Sequence, residues 1–121
     1  MLKILLAEDD IDDRFFFESA LRQIPLETLL ATVQDGEQLM EHLAQNMENL
    51  PDILFLDLSM PRKNGFECLI EIKESSKLKD IPVIMLSTSY TQDINYEKNI
   101  IDLLHKIGAQ DYVRKDRKSV V

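Results

Sequence analysis

Asp52-Ile53-Leu54-Phe55-Leu56-Asp57-Leu58-Ser59-Met60-Pro61-Arg62-Lys63-Asn64-Gly65 is the stretch on which the fold turns. Four consecutive apolar residues, Ile53 to Leu56, predict a strand buried on both faces. The run ends on a carboxylate, Asp57, and Pro61 and Gly65 punctuate the loop that follows. A charge at the end of a core strand is poorly solvated unless the fold opens a site there. Asp57 is therefore the first candidate functional residue.

Working outward, Ile4 to Ala7 predicts a second buried strand, ending in Glu8-Asp9-Asp10. The period then changes. Phe17, Ala20, Leu21 and Ile24 form a helical stripe, with Asp12 or Asp13 as N-cap and Pro25 beyond the end. Phe15 falls almost opposite that stripe and reads as an exposed aromatic beside the acidic cluster. Leu29 to Val33 predicts another strand, closed by Asp35-Gly36, and Leu39, Met40 and Leu43 mark the next helix. After Gly65, Phe66, Leu69 and Ile70 carry a third helix, in which the lone Cys68 reads as a packing residue. Ile81 to Leu86 is the fourth strand and ends in Ser87-Thr88-Ser89. Ser89 with Gln92 has capping-box spacing, Ile100, Leu103, Leu104 and Ile107 give a stripe, and Gly108 is a natural C-cap. Tyr112-Val113 is a fifth short strand, leading into Arg114-Lys115-Asp116-Arg117-Lys118.

At 121 residues the chain predicts one domain, residues 1–121, with a single core. Its 22 acidic and 14 basic residues give a net charge of −8, which opposes binding to nucleic acid or an anionic membrane and favours basic partners or cations. One Cys excludes an intrachain disulfide and suits a reducing compartment. The apolar run from Leu2 to Ala7 is too short for a signal-peptide core or a membrane span, so a cytoplasmic protein is expected. His42 and His105 have no acidic or Cys partner at ligand spacing and read as solvated surface residues.

Strands alternating with helices predict an α/β fold, a parallel sheet doubly wound with helices on both faces. Such sheets bind ligands at the carboxyl ends of their strands. There the strand assignments place Glu8 and Asp9, Asp57, Ser87 and Lys115. Three acids brought together repel one another unless a cation neutralises them. With no His or Cys among them the cation should be hard, and Mg²⁺ suits carboxylates, waters and a phosphate. Lys115 and the Ser87 hydroxyl complement phosphoryl oxygens. A carboxylate nucleophile, a hard cation and a phosphoryl clamp describe an aspartyl-phosphate site. Asp12, Asp13 and Asp35 read instead as caps.

In order along the chain, Glu8-Asp9, Asp57-Leu-Ser-Met-Pro-x-x-x-Gly65, Ser87-Thr88 and Tyr112-Val-x-Lys115 form a set that resembles the receiver domain of two-component response regulators, the CheY-like family. The likeness runs from Leu2 to Lys115, and its wording is most similar to the single-domain regulators that accompany bacterial phytochromes. The resemblance implies a five-stranded sheet in the flavodoxin-like order 2-1-3-4-5. It implies that Asp57 accepts a phosphoryl group from the phosphohistidine of a sensor histidine kinase or phosphotransfer protein. Asp9, Asp57 and the Ser59 backbone carbonyl would hold Mg²⁺, with Glu8 acting through water. Ser87 and Tyr112 would form the switch, Lys115 would pair with the acyl phosphate, and Ser59 and Ser89 would tune its hydrolysis. Output would pass in trans to a downstream protein or through self-association, so the chain is not expected to act as an enzyme on other substrates.

Two departures from the family stand out. Asp116 replaces the usual Pro after the lysine, and a cis bond there would cost roughly 3 kcal/mol without Pro, so a trans bond or a displaced loop is expected. The chain also stops at Val121, before the family's fifth helix, which predicts a truncation and a sheet face covered by the first helix alone. Thr91 to Leu104 runs longer than usual, on the surface the family uses for output. Two alternatives weigh against the switch. One is a receiver-like binding module that is never phosphorylated. The other is a Mg²⁺-dependent phosphatase of haloacid-dehalogenase type, which would need an Asp where this chain has Ser59.

Overall fold

The computed structural model describes residues 1–87 and 94–114, with residues 94–97 described by backbone alone. The elements alternate throughout: β1 (Leu2–Ala7), α1 (Ile11–Arg22), β2 (Thr28–Val33), α2 (Gly36–Gln45), β3 (Ile53–Asp57), α3 (Gly65–Glu74), β4 (Val83–Ser87), α4 (Ile94–Ile107) and β5 (Asp111–Arg114). All strands pair in parallel, in the order β2-β1-β3-β4-β5. The chain thus steps outward from β1 to β2, then crosses back over β1 to β3. That reversal opens a crevice at the carboxyl ends of β1 and β3, and the pairing of Ala7 with Leu56 brings Glu8 level with Asp57 at its mouth.

The two faces of the sheet are buried unequally. Leu5, Ala7, Leu54, Leu56, Val83 and Met85 alternate onto one face and pack with Leu39 and Leu43 of α2, Cys68, Leu69 and Ile72 of α3 and Leu104 of α4. On the other face Ile4 and Leu6 are buried, but Ile53, Phe55 and Ile84 are only half-buried. β3 is therefore sealed on one face rather than on both. Among the described residues α1 is the one helix over that second face, and Phe17 packs edge-to-face on Phe55 at 4.9 Å between ring centroids.

Helix ends correct the sequence reading in several places. Asp10, not Asp12 or Asp13, caps α1: its carboxylate accepts from the amides of Asp12 and Asp13 at 2.8 and 3.1 Å. Asp12 and Asp13 then sit in the first turn, where negative charge is stabilised by the positive end of the helix dipole. Ile24 lies beyond α1 and is exposed, because the residue before Pro25 is pushed out of the helical region. In α3 the buried stripe is Cys68, Leu69 and Ile72, whereas Ile70 is 42% exposed. A one-residue shift of the apolar run turned that side chain to solvent. Asn64 and Glu67 form a reciprocal capping box at the start of α3. Asp35 caps α2, as expected, and Gly108 closes α4 with φ +122° and its amide donating to the Leu104 carbonyl. The strand before Ser87 begins at Val83, because Pro82 has no amide to donate to the ladder. The Ser89–Gln92 capping box lies outside the described residues, as does the Lys115–Asp116 bond. No helix among the described residues is long and apolar enough to cross a membrane.

Cys68 is fully buried, and its thiol donates to the Gly36 carbonyl at 3.7 Å. Burial pushes its pKa up to about 11 from an ordinary value of 9.0. The folded protein therefore holds this proton more tightly than the unfolded chain does, and stability attributable to it falls as pH rises from about 9 to about 11. Urea denaturation of the wild type and Cys68→Ala across that window should show a steeper loss for the wild type. Parallel pH profiles would contradict this assignment.

Candidate functional site

The site grows out of two strand ends. At the end of β1 the Glu8 amide donates to the Val33 carbonyl at 3.0 Å, carrying the ladder to β2 one residue past Ala7. The Glu8 carbonyl accepts from the Arg14 guanidinium at 2.8 Å, and its carboxylate accepts from the Asp10 amide at 3.3 Å. With Asp10 committed to capping α1, the turn between β1 and α1 is tied at each of its residues save Asp9, which stays exposed. Arg14 was not singled out in the sequence. Its signal was a lone basic residue one turn into an acidic helix start.

At the end of β3 the chain is tied equally closely. A carboxylate oxygen of Asp57 accepts from the Ser59 amide at 3.3 Å, an Asx-type turn that starts the β3–α3 loop. The Leu58 amide donates to Leu86 of β4, and the Gly65 amide donates back to the Leu58 carbonyl at 3.0 Å. A Cβ on Gly65 would lie 2.4 Å from the Asp57 carbonyl oxygen, so only glycine lets α3 begin this close to the strand. The sequence marked Gly65 as loop punctuation; its role is close approach.

These two turns bring Glu8, Asp9 and Asp57 together. One carboxylate oxygen from each lies within 4.8 Å of the others, with Glu8 1% and Asp57 3% exposed. Buried acids roofed by one exposed acid form a hollow of hard oxygen donors without imidazole or thiolate. That donor set fits a divalent cation of the Mg²⁺ or Mn²⁺ kind. Glu8, Asp9 and Asp57 are the one such group of metal-ligating side chains found among the described residues.

The remaining expected residues fall on the same rim or just past it. Ser87 ends β4, half-buried, one position beyond the Leu86 that pairs with Asp57. The β4–β5 register sets Ser87 opposite Arg114 and Met85 opposite Tyr112, so Ser87 and Tyr112 share a face two positions apart. Tyr112 is half-buried against the core. Ser59 sits exposed in the loop beside Asp57. Lys115 follows Arg114 and lies outside the described residues. His105 is exposed and His42 half-buried, each on a helix away from the three acids. Phe15 is 60% exposed and stacks edge-to-face with Phe16, a second exposed aromatic, in the helix that starts at the acidic turn.

Known proteins share this fold. The response regulator Rcp1 of Synechocystis sp. is 37% identical over 94 residues, covering 74% of this chain and 64% of its own. This chain thus spans less than two thirds of that relative. The Mn²⁺-bound crystal structure of Rcp1 superposes with a TM-score of 0.84 at 30% identity, over 98% of this chain and 84% of that one. The phosphorylated cyanobacterial phytochrome response regulator RcpA superposes with a TM-score of 0.79 at 34% identity, over 97% and 82%. The response regulator receiver domain family matches residues 4–120, nearly the whole sequence. With its sheet order, its acidic crevice and this match in agreement, the chain belongs to the receiver domains of two-component response regulators.

Proposed function

We propose that the protein is a phosphorylation-dependent signalling switch with Asp57 as phosphoacceptor. The observation that carries the reading is the convergence of Glu8, Asp9 and Asp57 at the crevice between β1 and β3. A carboxylate oxygen of Asp57 attacks the phosphorus of a phosphohistidine on a sensor histidine kinase or phosphotransfer protein. The P–N bond breaks, the imidazole leaves with its electron pair, and Asp57 becomes an acyl phosphate. Asp9, Asp57 and the Ser59 carbonyl would hold Mg²⁺, with Glu8 acting through water, and the bound ion would supply charge neutralisation for the phosphoryl group. Ser87 donates its hydroxyl to one phosphoryl oxygen and Lys115 pairs with another. Movement of Ser87 toward that oxygen opens space on the face it shares with Tyr112, whose ring follows, and the changed surface is read by a downstream protein or a second copy. Water later attacks the phosphorus, the bond to the Asp57 oxygen breaks, and inorganic phosphate leaves the free carboxylate behind, so the chain acts on its own side chain and not on other substrates.

The exposed apolar residues Ile11, Phe15 and Phe16 stand on the helix that begins at the acidic turn and offer a donor protein an apolar footing near Asp57. A phosphatase acting on external esters is disfavoured because Ser59, two residues past Asp57, has no acid to protonate a leaving group. A net charge of −8 and a single buried thiol suit a protein partner in the cytoplasm rather than nucleic acid or an anionic membrane.

Incubation with Mg²⁺ and acetyl phosphate should add one phosphoryl mass to the wild type and none to Asp57→Asn, read by intact mass spectrometry. An adduct that survives the substitution would sink the assignment, and rapid multiple turnover of phosphate esters would favour the phosphatase. Cation binding gives a second test. At about one hundred times its dissociation constant, Mg²⁺ should add about 2.7 kcal/mol to the wild-type stability. Asp9→Asn should lose most of that gain while leaving the cation-free protein at least as stable, because it removes repulsion from Glu8 and Asp57. Equal stabilisation of both proteins would remove Asp9 from the metal set.

A further inference from the structure

The β3–α3 loop, residues 58–64, meets the first turn of α2 far more closely than a surface loop needs to. A Cβ built on Gly36 would lie 2.0 Å from the Lys63 carbonyl oxygen and 2.6 Å from the Lys63 Cβ, so the loop backbone occupies the place of that missing side chain. Arg62 has φ +68°, the one non-glycine residue in the left-handed region among the described residues. That region is one an ordinary L side chain disfavours. Its guanidinium reaches the Asp35 and Glu37 carboxylates, each at 3.7 Å, on either side of Gly36. Asp35 is itself fixed, because its other oxygen caps α2 through the Gln38 amide at 2.8 Å. Below the contact the Cys68 thiol donates to the Gly36 carbonyl.

We propose that the α2 N-terminus, residues 35–37, is a brace that positions the loop of the Asp57 site, with Gly36 and Arg62 as its positioning residues. This rests on the reading of Asp57, Asp9 and the Ser59 carbonyl as the metal and phosphoryl site. Asp57 is already fixed by the β3 ladder and needs no loop to hold it. The Ser59 carbonyl has no ladder, and its place depends on where the loop runs between Leu58 and Gly65. One end is tied by the Gly65 amide to the Leu58 carbonyl, and Met60 is buried in the core. The far side, Arg62-Lys63, is set by contact with Gly36 and the flanking acids. A side chain at position 36 would push that far side away from α2 and tilt the carbonyl at Ser59. The Gly36 contribution is steric and insensitive to salt. The Arg62 contribution is ionic, 66% exposed at the side chain, and screened by salt.

The test compares Gly36→Ala, Arg62→Gly, Arg62→Lys and Gly108→Ala with the wild type. Mn²⁺ affinity is measured by calorimetry, the Ser59 amide shift of the metal-free protein by NMR, and stability by urea denaturation. Gly108 is a structural control: φ +122° makes Ala strained there, against Lys73 and remote from the loop. Gly36→Ala should move the Ser59 amide and weaken Mn²⁺ binding about tenfold, the scale of losing a group that orients a ligand. Arg62→Gly relieves the backbone, so it should be no less stable, yet it should bind Mn²⁺ about threefold more weakly at low salt. That deficit should vanish near 0.5 M salt, where the Debye length is only about 4 Å, and Arg62→Lys should restore part of it. Gly108→Ala should lose stability while keeping wild-type affinity and an unmoved Ser59 amide. The brace is overturned if the Ser59 amide and Mn²⁺ affinity of Gly36→Ala and Arg62→Gly match the wild type, or if Gly108→Ala loses as much affinity. Should Gly36→Ala not fold, Arg62→Gly against Gly108→Ala decides. A wild type that binds no Mn²⁺ and forms no adduct at Asp57 would bring down the functional reading first, and the brace with it.

Discussion

Repulsion between Glu8 and Asp57 is the constraint around which this fold is built. Two nearly buried carboxylates with oxygens within 4.8 Å of each other repel when both are ionised, and the nearby Asp9 adds to it. A loosely held loop would relieve that by moving its acid into water. Here neither strand end is free to do so. Glu8 is held in the β1–β2 ladder and by Arg14, while Asp57 is the last rung of β3. The carboxylates also accept backbone amides from Asp10 and Ser59, which offset part of the desolvation they suffer. The result is a preorganised hollow of carboxylate oxygens, a donor set that suits a small, hard cation.

That hollow is only as rigid as β3. Leu54 and Leu56 are fully buried against the α2–α3–α4 side, and they fix the strand in register so that Asp57 emerges level with Glu8. The opposite face is looser: Ile53, Phe55 and Ile84 are half-covered, with Phe17 of α1 leaning on Phe55. Burial thus differs between the two faces of one sheet. The side that bears on the β3–α3 loop is tightly built, because α2 and α3 both start at the rim where the acids lie. Close approach is achieved there by glycines, Gly36 against Lys63 and Gly65 against Asp57, where any side chain would force the backbone apart.

Strand positions were legible because each is a short apolar run that stops at a polar residue: Ala7 at Glu8, Leu56 at Asp57, Leu86 at Ser87. The meeting of Glu8, Asp9 and Asp57 at a candidate rim was legible for the same reason, since a parallel sheet gathers those stopping points at one edge. The order of the strands came from the family resemblance, and spacing alone would not have supplied it. Local exposure was harder to read. Ile70 and Ile24 look like core residues in a window, yet one is turned outward by the pitch of α3 and the other is expelled by Pro25. Contacts between distant segments were not legible at all. Nothing in Asp35-Gly36-Glu37 announces that Lys63 will press against it, and nothing in Pro61-Arg62-Lys63-Asn64 announces a left-handed Arg62.

The direction in which the loop's two basic residues point bears on why the hollow stays negative. Arg62 and Lys63 follow Asp57 within a few residues and are the nearest cations along the chain. A guanidinium or ammonium swung into the rim would pair with the carboxylates and compete with a divalent cation for them. Arg62 instead engages Asp35 and Glu37 of α2, and Lys63 engages Glu71 of α3, an ion pair that raises the lysine's pKa and keeps it charged. Both cations are thereby turned toward helices and away from Glu8, Asp9 and Asp57. The same contacts that hold the loop in place also keep its own positive charge out of the site, so positioning and electrostatics are served by one set of residues. A loop with apolar residues at these positions would leave the hollow negative but untethered, and one with unpaired lysines would leave it partly filled.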